Sequence, residues 1–355
     1  MKDRIYVCHT YYHVYIAVVK ELNLEPKQRG NATLILSTMA NDFESLDLRA
    51  RESGLFEDVL FFDEQVDSSS KRVMKYHSDR GNIILNLLQR IVYTRLLGKL
   101  QEPHVPVDFT QYKDIYVFND SDPIGYYLNY KKIYYHALED GLDTLVYSDS
   151  ARWSNRGHFE LKCMMAKKGL IFIENGYSKY CLDMEINDDS RLKYKSLHYV
   201  CVNRQQLIDN VSKEDKLVLL GVFMEDVSGL LNQMQEAGKN KPAILILTEP
   251  LCELDVRKQI FEDIIAEYGQ GATVYMKPHP RDILDYEKEF PQAIVLKGRF
   301  PMEVMNDIPG IEVDKVISVF TVVDSIHFAK EKIFLSDDFM DKYEAPELHR
   351  QNELI

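Results

Sequence analysis

The sequence predicts an α/β protein of two Rossmann-like domains, each built on a parallel sheet, and three observations carry that reading. The chain has 355 residues, room for roughly two domains of about 150 residues each. Short β-type runs alternate with helical stretches, the pattern of parallel βαβ units. In the second half those runs are continuously apolar, as in strands covered on both faces.

Residues 4–8 read as the first strand and 13–22 as a helix, 32–37 as the second strand, 43–53 as a helix and 58–62 as the third strand. Residues 81–100 carry apolar side chains at helical spacing, and 114–119 and 132–138 supply further strands. The stretch 150–215 is less regular and richer in charge. Beyond it, 243–247, 273–276, 293–296, 315–319 and 332–335 read as strands, with helices over 256–268 and 322–330. The polar segment 230–241 reads as a helix and linker. The reading divides the chain into domains 1–225 and 226–355, with parallel sheets facing an interdomain cleft, because ligands of open α/β sheets bind beyond the carboxyl ends of the strands.

Composition narrows the function. With 45% hydrophobic and 11% aromatic residues the chain can bury substantial cores. A formal net charge of −13 excludes a broad nucleic-acid-binding face and leaves room for a local basic pocket. Cys8, Cys163, Cys181, Cys201 and Cys252 are scattered without metal-ligand spacing, which suggests reduced thiols in a cytoplasmic protein. The opening MKDRIYVCHTYYHVYIAVVK is broken by histidines and tyrosines, so no secretion signal is expected. No apolar run approaches the ~20 residues of a membrane span. Peripheral association at the inner face of a membrane, and a homodimer, are compatible with this composition.

Candidate chemistry centres on residues 274–282, VYMKPHPRD, where an apolar run stops at Lys277 and His279 stands between Pro278 and Pro280. The prolines remove backbone freedom and hold the imidazole in place at a strand end. Alone, a His-Pro pair is equally a structural turn, so its neighbours decide. In ALEDGL, Glu139 and Asp140 follow a strand and precede Gly141, and the mutual repulsion of two acids can suit one of them to general-base work. In RFPMEV, Pro301 suits a first helical turn, and Glu303 would accept hydrogen bonds from ribose hydroxyls or complement the helix dipole. In ISVFT, Ser318 and Thr321 lie at an expected strand-to-helix junction, a natural phosphate site as well as an ordinary cap. After the first strand come His9 and His13, with i, i+4 spacing but no third metal ligand, so substrate contact or helix capping is preferred.

These motifs together resemble the bacterial sialyltransferases of GT-B arrangement, closest to glycosyltransferase family 52 and similar to the capsular polysialyltransferases. Members carry an acidic-Asp-Gly motif, a His-Pro motif and a later Ser/Thr motif that contacts the donor phosphate. Here Glu139, Asp140 and Gly141 match the first, His279 and Pro280 the second, and Ser318 with Thr321 the third.

The resemblance implies an acceptor-binding N-terminal domain and a donor-binding C-terminal one. It implies inverting transfer of sialic acid from CMP-sialic acid to a sugar hydroxyl, on an oligosaccharide acceptor such as a bacterial surface glycan, with no cofactor and no metal. Glu139 or Asp140 would be the base, with Asp255 or Glu253 as alternatives, and His279 and Lys277 would stabilise the leaving phosphate. Acceptor contacts would come from the region of Arg152, Trp153, Arg156 and His158. A rival reading takes Asp120 and Asp122 of NDSD as metal ligands for another donor such as a UDP-hexose. A third makes the chain a non-catalytic nucleotide- or sugar-binding protein.

Overall fold

The computed structural model describes residues 2–39, 42–64, 71–76, 78–118, 120–121, 123–141, 144–237 and 241–349. Two compact units emerge, Met1–Val211 and Ser212–Ile355. The division falls ahead of the one drawn from the sequence because helix Lys213–Phe223 belongs with the second unit, where Lys216 reaches Asp307 at 2.8 Å.

In the first unit, β1 (Lys2–Cys8), β2 (Ala32–Ser37), β3 (Phe56–Phe62), β4 (Tyr112–Phe118), β5 (Tyr135–Leu138), β6 (Cys181–Ile186) and β7 (Tyr199–Cys201) form one sheet. Its order is β3-β2-β1-β4-β5-β6-β7 and every pairing is parallel, with Tyr6 level with Leu34 on one side and Tyr116 on the other. All six residues of β2 are buried, which explains its unbroken apolar run. Helix Tyr11–Leu22 starts where the Thr10 hydroxyl accepts the His13 N–H. Its buried Glu21 is matched by Arg4 at 2.8 Å and by the Tyr6 hydroxyl at 2.8 Å. The chain runs outward from β1 to β2 and β3, then returns to place β4 on the other side. That switch point lies between β1 and β4.

The irregular stretch of the sequence contributes two strands, β6 and β7. The polar residues of β6 have distant partners: Asp183 meets His136 at 2.9 Å and Glu185 meets Lys20 at 2.7 Å.

The second unit holds β8 (Ala243–Leu247), β9 (Thr273–Lys277), β10 (Ile294–Val295), β11 (Val313–Ser318) and β12 (Ala329–Phe334). All are parallel, in the order β10-β9-β8-β11-β12, with the switch point between β8 and β11. One expected element is absent. Residues 322–328 form no helix but a turn-containing connection to β12. Asn306 supplies what helical bonds would have given, donating to the Ser325 carbonyl at 2.8 Å and accepting the His327 N–H at 2.8 Å. Buried Val323, Ile326 and Phe328 anchor the segment.

Candidate active site

In the second unit the KPHPRD segment leaves the end of β9 next to the switch point. The Lys277 carbonyl accepts the Thr248 N–H at 3.1 Å, and the His279 N–H donates to the Thr248 hydroxyl at 3.0 Å. Two prolines leave no other N–H to satisfy at the bend. Asp282 anchors the far end. Its fully buried carboxylate accepts from Arg257 at 2.6 Å, the Tyr286 hydroxyl at 2.7 Å and the Leu284 N–H at 3.1 Å. The Arg257 guanidinium also donates to the carbonyls of Leu251 and Cys252. Asp282→Ala is expected to destabilise this unit by ~3–5 kcal/mol, because it strands a buried guanidinium. Urea unfolding checks this, and an Arg257→Met/Asp282→Leu double variant should regain much of the loss.

His279 is partly buried, and its Nδ1 accepts the Arg281 N–H at 3.1 Å. The neutral ring therefore carries its proton on Nε2, as a donor. Burial, then the charges of Arg281 and Lys277, push its pKa down to about 4. Lys277 is only 4% exposed, with its ammonium 4.0 Å from the centre of the Phe300 ring. Burial lowers it to about 7, against the opposing pull of Glu303. Glu303 itself, on the 3₁₀ turn Met302–Asp307, is raised to about 7 by burial. The lysine and the glutamate favour each other's charged form, and an arriving anion would favour the ammonium further.

Ser318 and Thr321 belong to a tight loop centred on Glu249, a residue the sequence did not single out. The Ser318 hydroxyl donates to the Thr321 carbonyl at 2.7 Å. Glu249, buried beyond the end of β8, accepts the Phe320 N–H at 2.9 Å and the Thr321 N–H. The expected helix N-terminus at Thr321 is thus replaced by a loop whose N–H groups already hold a carboxylate. Burial raises the pKa of that carboxylate. Glu253 and Asp255 lie exposed where helix Leu254–Tyr268 begins.

At the switch point of the first unit, loops after β1, β3 and β5 meet. The His9 N–H donates to His13 Nδ1 at 3.0 Å, which leaves the neutral His13 with its proton on Nε2. That nitrogen meets the Asp140 carboxylate at 2.6 Å, and the ring stacks on Phe118 at 4.6 Å. Burial, partly offset by Asp140, lowers the pKa of His13. Asp140 keeps 42% of its side chain exposed. His9 pairs with Glu64 at 2.7 Å, and Glu64 also accepts the Ser37 hydroxyl. Burial lowers the pKa of His9, but Glu64 outweighs it and the net shift is upward.

The two acids of the ALEDGL turn have separate environments. Glu139 is buried and accepts the N–H groups of Leu145 and Asn187, each at 3.0 Å. It clamps the loop, whereas Asp140, partly exposed, pairs with His13. Asp120 is also internal, accepting from the Tyr135 hydroxyl and the Asn175 N–H at 2.7 Å each. Burial raises its pKa. Gly125 sits so close to the Asp120 carbonyl that an added Cβ would lie 1.9 Å away. Asp122 lies outside the described residues, among which no three His, Cys, Asp or Glu side chains gather as metal ligands.

Of the residues expected to meet an acceptor, Arg152 stacks over Tyr194 and Phe159, its guanidinium 3.6 and 4.4 Å from the ring centres. It lines a cavity with Lys167, Lys195 and His198. Trp153 is 41% exposed under Arg156, and His158 holds a left-handed backbone ahead of helix Phe159–Lys167.

Two units, each built on a parallel sheet, are the arrangement of the GT-B glycosyltransferases, and solved structures share this fold. An α/β-galactoside α-2,3-sialyltransferase from Photobacterium phosphoreum superposes with a TM-score of 0.53 at 12% identity, covering 99% of this chain and 96% of that one. The GT-B domain of a Photobacterium damselae sialyltransferase gives 0.53 at 10% identity, over 100% and 97%. Residues 99–337 match glycosyltransferase family 52, and the chain belongs to that family. An uncharacterised protein of Haemophilus influenzae is 28% identical over 140 residues, 37% of this chain, and the chain spans 42% of that relative's length.

Proposed function

We propose that this glycosyltransferase moves sialic acid from CMP-sialic acid to a sugar hydroxyl of a surface glycan, with inversion and without a divalent metal. The observation that carries the reading is the Lys277–His279 pair, a buried ammonium and an imidazole held as an Nε2 donor at one strand end. A monophosphate leaving group needs that kind of fixed donor set. As the bond from the anomeric carbon to the phosphate oxygen breaks, its electrons go to the phosphate, which Lys277 and the His279 N–H stabilise. The acceptor oxygen attacks the opposite face, and its proton passes to Asp140, held by His13. Glu303 would accept hydrogen bonds from ribose hydroxyls. Phosphate contact at Ser318 and Thr321 would exchange the Glu249 carboxylate for the ligand's own anion.

Incubation with CMP-sialic acid and a panel of galactosides in EDTA tests the reading. The expected result is a sialylated product of inverted anomeric configuration by NMR. Transfer from a UDP-hexose, with none from CMP-sialic acid, would overturn it.

A further inference from the structure

A cavity in the first unit gathers cations that no step of the proposed transfer uses. One wall is helix Phe159–Lys167, whose Phe159, Cys163 and Lys167 recur at i, i+4 and i+8 and so share a face. Lys195 and His198, ahead of β7, line it from another side. The His13–Asp140 contact lies elsewhere, beyond the carboxyl ends of β1 and β5.

Each cation is held ready for an anion. Arg152 is anchored by Asp149 at 3.4 Å and stacks over Tyr194 and Phe159, while its buried Nε makes no hydrogen bond. Stacking takes up the plane of a guanidinium and leaves its N–H edge for a carboxylate or phosphate. Lys167 is exposed and has no ion pair or hydrogen bond among the described residues. Lys195 pairs with Asp189 at 2.7 Å, but both side chains are about half exposed, and such a pair is weak enough to exchange. His198 Nδ1 donates to the Cys181 carbonyl at 2.7 Å, so an anion arriving at Nε2 would draw a proton onto it. From the lining Glu160 opposes an arginine, two lysines and a histidine, in a chain of net charge −13.

We propose that this cavity binds the anionic group, a carboxylate or a phosphate ester, of an acidic acceptor glycan. The inference rests on the proposed function, because it makes the ligand part of the acceptor. The cavity's place away from the carboxyl-end loops assigns it to a sugar unit other than the one whose hydroxyl reacts. A neutral glycan would leave the stacked guanidinium and Lys167 without a counter-charge.

The test is a saturation-transfer NMR titration of the full chain with sialyllactose, galactose 6-phosphate and lactose, in the absence of donor. The expected result is that one or both acidic sugars bind ~10-fold or more tightly than lactose, and that added salt weakens them. Which of the two binds identifies the group. Arg152→Gln and Lys167→Glu should each weaken acidic binding ~10-fold or more and leave lactose unchanged. Lys167 is exposed, so its variant should keep the native thermal unfolding even if loss of the Arg152 stack loosens the unit. Equal affinity for lactose, no binding of either acidic sugar, or acidic binding untouched by Lys167→Glu would overturn the assignment. Because no donor is present, a failure of sialyl transfer would count against the proposed function and not against the cavity.

Discussion

On the proposed function, replacing His279 with alanine is expected to lower turnover by ~10²-fold or more while CMP affinity and thermal stability change little. The backbone of the KPHPRD loop is held by Thr248, Asp282 and Arg257, none of which needs the imidazole. The side chain's distinctive feature is its Nε2–H, fixed by the Arg281 N–H on the other ring nitrogen. A donor aimed at charge that develops only as the phosphate departs affects kcat more than ground-state binding. His279→Gln, which restores an N–H near that point, should recover part of the rate. The low folded-state pKa, about 4, adds a second readout. Below the ordinary histidine value the unfolded chain takes up a proton that the folded one refuses. This residue's share of stability is therefore lost as pH falls from about 6.5 to about 4, and His279→Ala should make the second unit less acid-sensitive over that window. Near-normal turnover in the alanine variant would remove His279 from the chemistry.

The sequence showed the sheet cores plainly because strands such as β2 and β8 are buried almost throughout, so their apolar runs are unbroken. It hid whatever depends on distant partners. In β6, Asp183 and Glu185 look like loop residues until His136 and Lys20 are brought beside them. Residues 322–328 have a plausible helical pattern, but Asn306 takes over their backbone groups from outside the segment. The candidate site divides in the same way. KPHPRD was legible because prolines and charge at a strand end are local signals. The His13–Asp140 contact joins residues 127 positions apart, and Glu249 reaches Phe320 across 71. A single acid just past the end of a strand, as in LTEP, was the available signal for Glu249. Local pattern also ranked Glu139 and Asp140 together, and only their separate hydrogen bonds distinguish them.

That distinction gives the other large expected effect. On the proposed mechanism, Asp140→Asn should reduce transfer by ~10²–10⁴-fold with CMP affinity nearly unchanged, since it would remove the proton acceptor and leave the second unit untouched. His13 makes the assignment specific. With Nδ1 occupied by the His9 N–H, the neutral ring cannot itself take a proton, but it orients the carboxylate proposed to do so. Glu139→Gln should behave differently. Its amide can accept only one of the two N–H groups the carboxylate now holds, so it sets a donor against either Leu145 or Asn187. The expected loss is ~1–3 kcal/mol of stability, read by urea unfolding, with any fall in transfer following from the disturbed loop. If Asp140→Asn transfers sialic acid at a near-normal rate while Asp255→Asn does not, the base lies in the second unit and the exposed start of helix Leu254–Tyr268 takes its place.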